Sequence, residues 1–87
     1  MRIDYGKAIR VVRAARGMTQ TDAAEKAHTR GNYLSLIESG DRIPSTDMVE
    51  NIAKALQMPV WALIVIGSPD NDVNDAVRSA AMTLLTK

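Results

Sequence analysis

Residues 19–40 read TQTDAAEKAHTRGNYLSLIESG, and this stretch decides the fold. It holds two short helical patterns separated by a polar break. In the first, Thr19 stands where an N-cap belongs, and Asp22 three residues later completes a capping-box pair. Ala23, Ala24 and Ala27 give this helix a face of small side chains, which lets another helix cross it closely. In the second pattern Leu34 and Ile37 are three apart, the spacing of a buried stripe. Thr29 is placed to cap that helix and Gly40 to end it. Leu36 falls off the stripe and faces outward among Arg30, Gly31, Asn32 and Ser35. An outer face built this way is meant to touch something other than the chain's own core.

Upstream, residues 4–16 put Ile9 and Val12 on one helical face and carry arginines at 10, 13 and 16, and Gly17 ends the segment. Downstream, Ser45 caps TDMVENIAKALQ (46–57), where Val49, Ile52, Ala53 and Leu56 form the apolar stripe. MPVWALIVIG (58–67) starts a fifth helix at Pro59 and closes it at Gly67. SPDNDVNDAVRSAAMTLLTK (68–87) opens on Ser68 then Pro69, the order of a cap and a first helical turn. Asp70 and Asp72 then fall near the positive end of the helix dipole. No run alternates at the period of a strand. The expectation is an all-α fold of five helices with a sixth at the C-terminus, divided as residues 1–67 and 68–87.

The bulk numbers agree. Eighty-seven residues make one small domain with a single modest core. Without cysteine there is no disulfide framework and no thiolate metal site, and the lone His28 cannot assemble a zinc site. Neither a metal nor a cofactor is expected. The absence of Phe, with five Gly and three Pro, suits helices. No apolar run approaches the roughly 20 residues of a membrane helix, and MRIDYGKAIR lacks the apolar segment of a signal peptide. A cytoplasmic protein with no membrane association is expected. Catalysis is not: the carboxylates are scattered, Ser35 and Ser39 have no evident base, and no phosphate-binding loop is present.

Net charge is +1, but residues 1–30 carry seven basic groups against three acidic ones, and the remainder four against seven. A positive N-terminal part suits a polyanion. Ordinary solvated charges would give the same asymmetry.

Two short helices joined by a tight turn form a helix-turn-helix. With IRVVRAARGMTQ (9–20), AAEKA (23–27), YLSLIESGDRIPS (33–45) and IAKAL (52–56), residues 6–66 resemble the Cro/cI-like (XRE) family of lambda-repressor-like DNA-binding domains. The resemblance implies double-stranded DNA as partner, with the third helix in the major groove. It assigns Gln20, with Thr21 beside it, to a phosphate and to bracing the first base contacts. Arg30, Gly31, Asn32 and Tyr33 begin the reading helix, and Ser35 and Leu36 lie one turn on. Asn32 is the best base reader, since its amide can bond an adenine edge twice. Arg30 reaches guanine or phosphate, and Leu36 packs on a thymine methyl. Arg42 resembles a phosphate clamp. Arg13 and Glu38 match an interhelical ion pair of the family.

The chain departs from the family pattern at four places. His28 replaces the usual turn glycine and is expected to hold the left-handed conformation there. Arg30 stands where the family has a Ser or Thr cap, so either Thr29 takes that role or the cap is poor. Gly31 has no side chain to read with, and Leu36 replaces a common polar reader. The alternative function is therefore a protein-binding module of the same fold, an antiactivator or antitoxin, whose outer face has turned from DNA to a protein partner.

VWALIVIG holds more apolar bulk than a small core consumes, and Val73, Val77, Ala80 and Leu84 recur at helical spacing. The tail either finishes the core of the monomer or builds a symmetric homodimer with Val60, Trp61 and Ile64. The homodimer is favoured, because two reading helices about 34 Å apart would address successive major grooves of a palindromic site.

Overall fold

The computed structural model describes residues 2–86. The helices are α1 (Tyr5–Ala15), α2 (Gln20–Lys26), α3 (Gly31–Ser39), α4 (Thr46–Ala55), α5 (Val60–Gly67) and α6 (Asp75–Thr83). Single 3₁₀ turns occupy Asp70–Asp72 and Leu84–Thr86. There is no strand among the described residues. The all-α expectation holds.

Local chemistry sets most of the boundaries. Asp4 caps α1 by accepting from Lys7 N at 2.9 Å. Thr19 and Asp22 form a full capping box on α2, and Ser45 caps α4 through Met48 N. α1 to α4 all end on a left-handed residue: Gly17, His28, Gly40 and Gln57. At each, that residue's N–H bonds three residues back and the next N–H bonds five back, as His28 does to Glu25 (3.1 Å) and Thr29 to Ala24 (2.9 Å). His28 therefore takes the conformation expected of it, at φ 59°.

Two expected caps are corrected. Thr29 does not cap α3: the helix begins one residue later, and the Thr29 N–H closes the end of α2. Arg30 holds the N-cap position instead and makes no side-chain cap bond, the poor cap that the sequence left as the alternative. Nor does Ser68 start α6. Its hydroxyl donates back to Ile64 O at 2.7 Å, and Asn74 caps the helix by accepting from Val77 N. Asp70 and Asp72 consequently lie in the preceding 3₁₀ turn, away from the start of α6.

The core is built from Ile9, Val12, Leu34, Ile37, Ile52, Leu56 and Leu63. α5 lies at its centre, packed against α1, α4 and α6, with α3 against α1 and α2. This arrangement absorbs most of the apolar run, since Ala62, Leu63, Val65 and Ile66 are all buried within one chain. Ala81 of α6 is buried too. α1 meets the end of α3 closely at Gly6, where a Cβ would lie 2.6 Å from Glu38 O and 2.7 Å from Ile37 O.

Candidate nucleic-acid interface

α3 is amphipathic in a way that separates anchoring from presentation. Leu34, Ile37 and Glu38 face inward and are buried, while Asn32, Ser35, Leu36 and Ser39 face outward and are exposed. Tyr33 flanks the two faces and packs against the core. Leu36 is 38% exposed although apolar.

The inner face is held by a charged group. Glu38 is only 4% exposed, yet its carboxylate is fully engaged. It accepts from Arg13 Nε and Nη2, each at 3.0 Å, and from Gln20 Nε2 at 3.2 Å. Arg13 also donates to Met18 O at 3.0 Å, and Arg10 donates to the Glu38 carbonyl. One carboxylate thus joins α1, the start of α2 and α3, so the angle between the two helices of the motif is set by hydrogen bonds as well as by packing. The carboxylate only accepts, so the nitrogen of Gln20 must face it. The Gln20 carbonyl oxygen and second N–H remain for a partner outside the chain. Thr21 beside it is exposed.

The far end of α3 is equally ordered. Leu36 O receives Asp41 N at 2.9 Å and Arg42 N at 3.1 Å, which turns the chain back and places Arg42 just past the helix. Ser39 Oγ, 3.0 Å from Leu36 O and 2.9 Å from Asp41 Oδ2, braces the same turn. Arg30 and Arg42, at opposite ends of α3, are exposed and make no side-chain hydrogen bond or ion pair among the described residues. Cations left unpaired beside a polar helix face suit phosphate oxygens.

Of the residues assigned to this face by sequence, Arg30, Asn32, Ser35 and Leu36 come together on the outer side of α3, with Gly31 at its first turn. Gln20 and Tyr33 sit half-buried at the margin. Sequence reasoning missed Ile43, 75% exposed beside Arg42. A single apolar residue in a loop carries no periodic signal. Of the residues assigned to a dimer interface, Trp61, Val77 and Ala80 are exposed, and Val60, Ile64, Val73 and Leu84 are half-buried.

A family model described as helix-turn-helix matches residues 9–60. The chain is 32% identical over 73 residues to the competence pilus inhibition repressor of Acinetobacter baylyi, covering 83% of this chain and 66% of that protein. It is 37% identical over 59 residues to the immunity repressor protein of Bacillus phage phi105, covering 68% of this chain and 41% of that one. The fold matches the crystal structure of the clp gene regulator ClgR from C. glutamicum with a TM-score of 0.71 and 28% identity, over 74% of this chain and 83% of that one. The matched region thus spans roughly two-fifths to two-thirds of these curated relatives' length. The chain belongs to the XRE-type helix-turn-helix family of DNA-binding transcriptional regulators.

Proposed function

We propose that this chain binds a specific operator in double-stranded DNA as a homodimer on an inverted repeat, and represses by occupying the promoter. The observation that carries it is the outer face of α3, where Arg30, Asn32, Ser35 and Leu36 are exposed while Glu38 locks the inner face to Arg13 and Gln20. Asn32 reads an adenine edge, Leu36 packs on a thymine methyl, and Arg30 reaches guanine or phosphate. Gln20, Thr21 and Arg42 hold the backbone on either side. The names of the relatives, two of them repressors, favour repression over activation. The exposed Trp61, Val77 and Ala80 supply the face for the second copy. The protein acts in the cytoplasm, by occupancy and not by catalysis.

Selection from a randomised duplex library tests this. Wild type should enrich an inverted repeat. Asn32→Ala should relax one base position per half-site, losing about 1–3 kcal/mol of discrimination there. An equal loss on every duplex would refute base reading by Asn32.

The exposure of Leu36 and Ile43 favours a second reading, a protein-binding face on the same fold. In that case Leu36→Asp abolishes function, while Asn32→Ala leaves it intact and selection enriches nothing.

A further inference from the structure

An open groove of about 510 Å³ runs between the N-terminal segment and the turn after α3. Its apolar side includes Ile37 and Pro44, and the cations lining it are Arg2 and Arg42. Both arginines are exposed, and neither has a side-chain hydrogen bond or ion pair among the described residues. Asp4 is the one carboxylate lining the groove, and its Oδ1 is committed to capping α1. The segment carrying Arg2 is pinned, because Asp4 N donates to Gly67 O at 2.7 Å. Arg2 is thus two residues from a fixed point, and its reach is short.

We propose that this groove receives the phosphodiester backbone of the strand that passes the C-terminal end of α3, with Arg2 holding a phosphate beyond the one held by Arg42. Two observations select this occupant. The groove has two guanidiniums, neither in a salt bridge among the described residues, against one carboxylate, and guanidinium forks match phosphate oxygens bidentately. It is also continuous with the outer face of α3 through Arg42, whose N–H is bonded to Leu36 O. The inference rests on the DNA-binding reading and adds a contact that the helix-turn-helix itself does not supply.

The experiment measures affinity for a mixed-sequence 20-base-pair duplex, and for the best duplex from the library, between 50 and 200 mM salt. Wild type, Arg2→Gln, Arg42→Gln and Asp4→Asn are compared. Each phosphate contact contributes a slope of about 0.9 in log K against log salt, so losing one removes about 3.5-fold of the salt-induced weakening over this range. Arg2→Gln should show that loss on both duplexes, as should Arg42→Gln. Asp4→Asn keeps a capping side chain, removes the opposing charge and should bind more tightly than wild type. Thermal unfolding controls for folding.

An unchanged slope in Arg2→Gln, beside a reduced one in Arg42→Gln, overturns the groove contact and leaves the DNA-binding reading standing. A wild type that binds neither duplex overturns both. A changed sedimentation coefficient for Arg2→Gln with an unchanged slope would assign the groove to a second copy of the chain and overturn the proposal.

Discussion

Arg13 and Glu38 meet in a two-pronged pair, Nε to Oε2 and Nη2 to Oε1, each at 3.0 Å. The pair joins α1 to the end of α3 across 25 residues of sequence. Glu38 is buried and Arg13 is 22% exposed, so removing the arginine strands a carboxylate with little access to water. Arg13→Ala and Glu38→Ala should each cost about 3 kcal/mol, the low end for a buried pair because Arg13 keeps some solvent. Because both variants break the same contact, the double variant should cost at least ~1 kcal/mol less than the sum of the singles. Urea unfolding at constant m-value checks this. Additive costs would mean that the two charges are solvated independently.

A second prediction concerns the left-handed ends of α2 and α4. His28 and Gln57 hold φ values of 59° and 58° with a Cβ in place, where α1 and α3 use Gly17 and Gly40. The left-handed region costs a non-glycine residue about 1–2 kcal/mol, and glycine returns roughly half of that through a looser unfolded chain. His28→Gly and Gln57→Gly should each stabilise by about 0.5 kcal/mol, raising Tm by ~2–4 °C. Gly40 meets nothing within 4 Å of its missing Cβ, so Gly40→Ala isolates the backbone effect and should lower Tm. A His28→Gly variant of lower Tm would show that the imidazole itself is holding the turn.

A third prediction concerns α6. Arg16, at the end of α1, donates to Leu56 O (3.1 Å), Gln57 O (3.2 Å), Leu84 O (3.0 Å) and Leu85 O (3.4 Å). One planar guanidinium thus ties the carbonyl ends of α4 and of the C-terminal turn to α1, a favourable charge at two helix C-termini. Lysine keeps the charge but cannot span these acceptors. Arg16→Lys should cost about 1–2 kcal/mol. It should also speed amide exchange in α6 more than in α1. Equal acceleration in both helices would show that α6 is held by Ala81 and its neighbours alone.

What could be read in advance follows from where each signal lives. Thr19 with Asp22, and Leu34 with Ile37, act within one or two turns of their own helix, so the helix-turn-helix and its outward face were legible from spacing. The cap of α3 stayed open between Thr29 and a poor cap at Arg30, because the choice depends on where the end of α2, closed by Thr29 N on Ala24 O, releases the chain. Ser68 and Asn74 are both good capping residues. The choice between them is tertiary: Ser68 bonds back to Ile64, and Arg78 gathers the carbonyls of Ser68 and Pro69. The apolar surplus of residues 60–66 looked larger in sequence than in space, since periodicity does not reveal that α1, α4 and α6 all cover α5. Arg2 owes its interest to a groove between distant segments, which Ile43 also lines, and no local pattern announces that groove.

Gly31 provides the last prediction and the sharpest link between fold and partner. It opens α3, and nothing lies within 4 Å of where its Cβ would be. Its φ is not among the positive ones, so neither space nor backbone conformation within the chain calls for glycine. By propensity alone Gly31→Ala should stabilise the protein by about 0.5 kcal/mol. On the proposed DNA-binding reading, the first turn of α3 would lie against the major groove, where glycine leaves room for a close approach. On that reading an added methyl would intrude on the contact, and Gly31→Ala should weaken operator binding about fivefold, the equivalent of ~1 kcal/mol. A variant more stable and weaker in binding would place Gly31 at the DNA surface. One that is more stable and binds as tightly as wild type would show that the first turn of α3 makes no close contact with the operator.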